Sequence, residues 1–111
     1  MEIRYNDKIC IYTPLISKLS DFECEKLFKK MEGDSRKIAL DLGYTSDITI
    51  DFIERIKNLC TKREIGIFNI SSDIFALFNF MKIDKSARLF VSELDFEEDC
   101  RQLLNRSFSI V

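Results

Sequence analysis

The stretch KIALDLGYTSDITIDFIERIKNLC, residues 37–60, changes its pattern twice. Its first part, KIALDL at 37–42, is a short apolar run of the kind found in strands buried on both faces of a sheet. Its last part has apolar residues at helical spacing, namely Phe52, Ile53, Ile56, Leu59 and Cys60. Thr45, Ser46 and Asp47 lie between the two parts. We therefore predict a strand, a loop and a helix that begins near Ser46, which is the repeating unit of an α/β fold.

The rest of the chain continues this alternation. Strands are predicted at 2–6 and 8–13, followed by a helix that Ser20 and Glu23 cap. Beyond residue 60 we predict a strand at 64–70, a helix capped by Ser71 or Ser72, and a strand at 88–91. A fourth helix is indicated by a capping signal at Asp95 and Glu98 and by the apolar residues Phe96, Cys100, Leu103 and Leu104.

These elements predict one α/β domain over residues 1–111. Its order is β-β-α-β-α-β-α-β-α, that is, about five strands with four helices. Strands that alternate with helices form a mostly parallel sheet, and the first two strands add an antiparallel hairpin. The predicted sheet is therefore mixed.

Composition excludes several classes of function. The formal net charge is −2, and the sequence has no Lys/Arg cluster, so we expect no nucleic-acid binding. No apolar run approaches the roughly 20 residues that span a bilayer, so we expect no membrane insertion. The N-terminus, MEIRYNDK, lacks the apolar core of a signal peptide. A soluble, cytoplasmic protein is the expectation.

The usual catalytic groups are missing from the sequence. There is no histidine, no Gly-rich phosphate loop and no CxxC pair, and the four cysteines (Cys10, Cys24, Cys60, Cys100) are far apart. We predict reduced, buried thiols, no catalytic residues, no cofactor and no metal. The acidic group at 93–99 is interpreted as a solvated helix N-terminus. Asp41, at the end of the third strand, is the best catalytic position in such a fold because ligands gather at the carboxyl ends of strands, but a structural or loop-ordering role is favoured.

Four segments resemble the STAS domain family, which includes bacterial anti-sigma factor antagonists and the cytoplasmic tails of sulfate transporters. IRYNDKICIY resembles the opening strand pair of the family, LSDFECEKLFKKM the first helix, and KIALDL the strand that ends in LDLS. The segment IGIFNISSDIFALFNFMKIDKSARLF resembles the following strand, the third helix and the tGLdklF element. Within it, Ile83, Asp84 and Lys85 correspond to LDK, and Leu89-Phe90 to LF.

This resemblance implies a regulatory site at the second helix. STAS antagonists carry DSSG or DSTG there, and a partner anti-sigma factor, a kinase, phosphorylates one hydroxyl and so breaks the complex. The acceptor position falls on Ser46 or Asp47, while Thr45 replaces the leading Asp and Ile48 the Gly. The resemblance implies Ser46 as the phosphorylation candidate and Thr45, Asp47 and Thr49 as partner contacts. The alternative is that Ser46 is only the helix N-cap, accepting an N–H from Thr49 or a residue nearby.

A second candidate contact lies in IFALFNFM, residues 74–81. Its apolar side chains cover most of the helix circumference, so one face cannot bury them all. Either this helix packs between two layers, or one or two aromatics, Phe80 among them, contribute to an interface.

The function expected from these patterns is a non-enzymatic regulatory module. Through its second helix and the preceding loop it would bind a partner protein, an anti-sigma factor or serine-kinase-type protein. Two alternatives stay open at this point. One is a STAS-like subunit of an ABC-type membrane-transport assembly that docks on the ATPase subunit; the other is a small-ligand-binding α/β domain that uses Asp41 and the loop 45–47. The oligomeric state stays undetermined.

Overall fold

Apolar strands alternate with amphipathic helices along the chain, and they assemble into a mixed α/β sheet. The computed structural model describes residues 1–100 and the backbone of residues 109–110. The strands are β1 (Glu2–Tyr5), β2 (Ile9–Thr13), β3 (Lys37–Asp41), β4 (Ile65–Phe68), β5 (Arg88–Leu89) and β6 (Ser109–Ile110). The helices are α1 (Asp21–Glu32), α2 (Ile50–Cys60), α3 (Ser72–Phe80) and α4 (Glu93–Asp99), with a 3₁₀ helix at Ile83–Lys85.

The sheet has the order β5-β4-β3-β2-β1-β6. Strands β2 to β5 run parallel, while β1 is antiparallel to both β2 and β6. The predicted α/β class and the mixed, mostly parallel sheet are confirmed. Strand β6 was not predicted.

Two apolar clusters cover the two faces of the sheet. On one face, α1, α2 and α3 pack against the strands, with Phe28, Phe52 and Phe78 fully buried. Successive parallel strands progress in one direction across the sheet, and right-handed crossovers therefore put these three helices on the same side. On the other face, Phe96 and Cys100 of the α4 region cover Ile9, Ile11, Ala39 and Phe68.

Helix starts follow capping hydroxyls, with differences from prediction at two helices. Ser20 and Ser71 cap α1 and α3 as expected, each accepting a backbone N–H three residues later. The prediction that Asp95 caps α4 was wrong, because Ser92 accepts the Asp95 N–H at 3.3 Å and the helix begins at Glu93. Leu103 and Leu104, predicted on the buried face of this helix, lie outside the described residues. In the part of the chain that the structure describes, no helix is long and apolar enough to span a bilayer.

Candidate partner-binding surface

Helix α2 begins three residues later than the position expected for it. Thr49 is its N-cap, and the Thr49 hydroxyl accepts the Phe52 N–H at 3.1 Å. The alternative in which Ser46 caps this helix was therefore wrong. The physical reason is that the backbone of Ser46 and Asp47 is engaged by another loop, which keeps these residues extended until Thr49.

Removing each hydroxyl separately tests this assignment. We expect Thr49→Ala to lower the free energy of unfolding by about 1 kcal/mol, because a first-turn N–H of α2 loses its acceptor. The matched change Ser46→Ala should stay within about 0.5 kcal/mol, since that side chain is exposed and caps nothing. Urea unfolding of the two variants measures both values. A larger loss from Ser46→Ala than from Thr49→Ala would contradict the assignment.

The loop after β3 pairs with the loop after β2. The Ser17 carbonyl accepts the N–H groups of Ser46 at 2.8 Å and Asp47 at 3.0 Å, and the Asp47 carbonyl accepts the Leu19 N–H at 3.1 Å. Lys18 and Asp47 thereby form an isolated parallel bridge. We call residues 14–20 and 43–50 together the paired-loop surface. Its backbone is held in place by the two loops themselves rather than by a regular helix or strand.

The paired-loop surface separates the predicted contact residues. Thr45 is 2% exposed, and its hydroxyl donates to the Ile16 carbonyl at 2.8 Å. This buried side chain therefore joins the two loops by a hydrogen bond. Ser46 and Asp47 are exposed, whereas Thr49 is half-buried at the cap. The Ser46 hydroxyl has only a long contact of 3.4 Å, to the Ser17 carbonyl. Of the contact residues predicted in this loop, Ser46 and Asp47 are therefore the ones whose side chains are exposed to a partner.

Apolar side chains surround these two residues. Tyr44 is 65% exposed and Ile50 is 66% exposed, immediately before and after the 45–49 segment. The facing loop contributes Leu15 and Ile16, which are exposed as well. Exposed aromatic and aliphatic groups on an ordered backbone are the usual anchors of protein interfaces. The apolar pattern of the sequence did not identify Tyr44 or Ile50 as exposed, because an apolar side chain at either position could equally well have been buried.

Phe80 lies elsewhere on the molecule. It is 81% exposed at the C-terminal end of α3, while Ile74 and Phe78 of the same helix are buried. The expectation that one face cannot hide this whole apolar set is confirmed, and Phe75 is the second exposed aromatic of the helix. The paired-loop surface follows the carboxyl ends of β2 and β3. Helix α3 ends at Phe80 ahead of the start of β5, which is parallel to those strands, so Phe80 lies at the opposite end of the sheet and is a separate candidate contact.

Asp41 is buried at the carboxyl end of β3 and is fully engaged. Its carboxylate accepts the Gly43 N–H at 2.9 Å, the Asn69 side-chain amide at 3.1 Å and the Thr13 hydroxyl at 3.4 Å. Arg4 approaches it at 3.7 Å. These bonds hold the starts of the loops after β3 and β4, which agrees with the loop-ordering role favoured above. The Thr45 hydroxyl bonds to Ile16 rather than to Asp41, so the two are not joined in one polar site.

Arg4 and Glu93 form a contact that sequence reasoning missed. The Arg4 guanidinium donates two hydrogen bonds to the Glu93 carboxylate, at 2.6 Å and 2.7 Å. The hydrogen bond to Glu93 raises the pKa of Arg4. Arg4 alternates with Ile3 and Tyr5 along β1 and therefore points to the other face of the sheet, where the packing of α4 brings Glu93 to it. Glu93 therefore anchors α4 rather than belonging to a freely solvated helix end.

The thiols are poor nucleophiles in this environment. The four cysteines are free, and Cys10, Cys24 and Cys100 are buried while Cys60 is half-buried. Burial raises the pKa of Cys24 to about 11 and that of Cys60 to about 11. At pH 7 these groups are protonated, and a thiolate is the reactive form. They therefore pack as small apolar side chains.

Comparison of the chain with protein-family models and with curated proteins gave no match in either.

Proposed function

We propose that this chain is a non-enzymatic, cytoplasmic regulatory module that binds a partner protein through α2 and the loop before it. The observation that carries the proposal is the paired-loop surface. There Tyr44 and Ile50 present exposed apolar groups on both sides of an exposed Ser46. The resemblance to STAS domains supplies the partner class, a serine-kinase-type anti-sigma factor.

Ser46 is the regulatory residue in this proposal. Its hydroxyl is exposed and is free of the capping role, which Thr49 fills. Phosphorylation would add roughly −1.5 to −2 charge beside the Asp47 carboxylate. A partner that covers Tyr44 and Ile50 would then have to desolvate this charge or leave the surface. The phosphate would thus weaken the complex without unfolding the domain.

The test uses the purified chain with the kinase-type anti-sigma factors of its source cell. We expect one of them to bind, and mass spectrometry to locate phosphate on Ser46. Thr45 should stay unlabelled because it is buried, and Thr49 because it caps α2. Tyr44→Ser and Ile50→Ser should each weaken binding about tenfold, which corresponds to about 1.4 kcal/mol of binding free energy.

Phe80→Ser is the matched control, because it removes an even more exposed apolar group from a different surface. It should leave the affinity unchanged. Absence of binding to every kinase of this type would overturn the proposal, as would recovery of a transporter ATPase subunit as the specific partner. Phosphate without any effect on binding would remove the regulatory role of Ser46.

A further inference from the structure

The hairpin at the start of the chain leaves a gap in the helical layer. The parallel strands β2 to β5 are connected by α1, α2 and α3, whereas β1 and β2 are connected by a short turn. Strand β1 therefore has no crossover helix of its own. Ile3 and Tyr5 point to the face that the three helices cover, but both are only half-buried, while β2 is fully buried. An apolar strip of the sheet beside α1 thus stays open in the described part of the chain.

A groove runs along this strip between β1 and α1. It has two sections, of about 820 Å³ and about 400 Å³, which meet at Ile3 and Lys30. Along α1 the groove extends from Glu23 in the first turn to Gly33 at the C-cap, so it is nearly as long as this helix of 12 residues. We call it the β1–α1 groove. A further helix laid beside α1 would continue the layer and cover the apolar side chains of β1.

Three lysines give the middle of the β1–α1 groove a positive charge. Lys26, Lys29 and Lys30 are exposed and line the groove. None of them forms an ion pair with a residue among 1–100. Lys26 lies over the exposed Phe22 ring at 5.2 Å from its centroid, a contact that leaves the positive charge in place.

The carboxylates that line the groove do not cancel this charge. Glu23 lines one section and Asp7 the other, each at the end away from Ile3 and Lys30. The Asp34 carboxylate is occupied by the Arg36 guanidinium at 2.9 Å. The remaining acidic residues of α1, which are Asp21, Glu25 and Glu32, do not line the groove. An occupant with negative charge on the side that faces α1 is therefore favoured.

The pairing of β1 decides between an extended and a helical occupant. Strand β1 is bonded to β2 on one side and to β6 on the other, so it is not an edge strand. An extended segment would find no free row of backbone groups there. A helix satisfies its own backbone and binds through its side chains, which is what an apolar groove requires.

We propose that the β1–α1 groove binds an amphipathic helix of a partner protein, about three turns long. Leucine or isoleucine side chains on one face of that helix pack on Ile3, Tyr5 and Leu27. Glutamate or aspartate side chains on its flank pair with the lysines of α1. The groove shares Leu15 and Ile16 with the paired-loop surface, but binding of such a helix does not depend on the proposed function.

The probes are three pools of synthetic peptides of about 12 residues. The first pool has leucine and isoleucine at helical spacing and glutamate on the flanks, and the second has lysine on the flanks instead. The third has the composition of the first, with the apolar residues spread around the helix. We expect the first pool to bind at least about tenfold more tightly than either of the others. Amide chemical shifts of the isotope-labelled chain should change at Ile3, Tyr5 and Leu27, and not at Phe75.

Charge reversal tests the role of the lysines. Lys26→Glu combined with Lys30→Glu should weaken binding of the first pool at least about tenfold. Lys62→Glu combined with Lys85→Glu is the matched control, because it changes the net charge equally at exposed positions outside the groove. It should weaken binding less than about twofold.

The outcomes separate this proposal from the proposed function. Tyr44→Ser should leave peptide binding unchanged, because Tyr44 does not line the groove. Equal binding of the three pools, no binding of the first, or equal losses from the two double variants would overturn the proposal. Self-association of the chain that Lys26→Glu with Lys30→Glu abolishes would also overturn it, because the occupant would then be a second copy.

Discussion

Asp34→Ala is expected to lower the free energy of unfolding by about 2–4 kcal/mol at pH 7, because it leaves the buried Tyr12 hydroxyl and the half-buried Arg36 guanidinium without their acceptor. Asp34 lies between α1 and β3 and is nearly buried. It accepts the Tyr12 hydroxyl at 2.7 Å and two guanidinium bonds from Arg36, both at 2.9 Å. The Arg36 backbone N–H adds a further bond at 2.9 Å. One carboxylate thus joins β2 to the turn that leads into β3.

The pH dependence of this contribution has a defined sign. Burial by itself would raise the pKa of Asp34, but hydrogen bonds from Arg36 and Tyr12 outweigh it and hold the pKa well below its ordinary value of 3.8. The ionised form is therefore favoured by folding. Its contribution is complete above about pH 5 and declines as the pH falls through 3.8 toward the folded-state pKa. The difference in stability between wild type and Asp34→Ala should shrink over that acid range.

Urea unfolding at a series of pH values measures both effects. Asp7→Ala is a matched control, because Asp7 is exposed and makes no side-chain bond among the described residues. It should change the free energy of unfolding by no more than about 0.5 kcal/mol. A loss below about 1 kcal/mol for Asp34→Ala at pH 7 would contradict the role given to this carboxylate. So would a loss that grows as the solution is acidified.

Phe96→Ala should cost about 3–5 kcal/mol of unfolding free energy, because it empties the centre of the second apolar cluster. Phe96 is fully buried, and its ring lies 5.4 Å from that of Phe68 and 5.6 Å from that of Phe90. It also rests on Gly66, where an added Cβ would approach the Phe96 ring to 2.9 Å. Without this ring, α4 keeps mainly its ionic contacts to Arg4, Lys37 and Arg88.

The fit between Gly66 and Phe96 makes a second measurement decisive. Gly66→Ala alone should cost about 1–3 kcal/mol through overpacking. In the Phe96→Ala background the same change should cost at least about 1 kcal/mol less, because the clashing ring is gone. Gly33→Ala is the control glycine, since a Cβ there meets only atoms at 3.7 Å or beyond. Leu94→Ala controls for the helix itself, because Leu94 belongs to α4 and is exposed. Additive losses for Gly66 and Phe96 would disprove the packing described.

Much of the fold was predictable because its signals are local. Apolar residues at helical spacing, such as Leu27, Phe28 and Met31, specified which face of α1 is buried. Ser20 was recognised as a cap and Ser71 as one of two candidates, because a hydroxyl three residues ahead of an N–H needs no distant partner. The α/β class followed from the alternation of these elements, and right-handed crossovers limited how the parallel strands could be connected.

The start of α2 was mispredicted for a nonlocal reason. Ser46 and Thr49 both have hydroxyls suited to capping, and no local rule chooses between them. The choice is made by the Ser17 carbonyl, which accepts two N–H groups from the 46–47 segment across a separation of about 29 residues in sequence. The same pairing leaves Ser46 exposed and Thr45 buried. The accessible part of the candidate site therefore depends on a loop that the sequence pattern did not connect to it.

For this protein, then, the sequence alone determined the order of the elements from β1 to α4, the buried helix faces and several capping residues, because each depends on neighbours within about one helical turn. The tertiary structure decided the partners of Arg4, Asp34 and Asp41, the pairing of the two loops, and the groove between β1 and α1. Each of these joins segments that are distant in sequence, and the chain specifies such contacts only when the whole sheet has formed and brought the segments together.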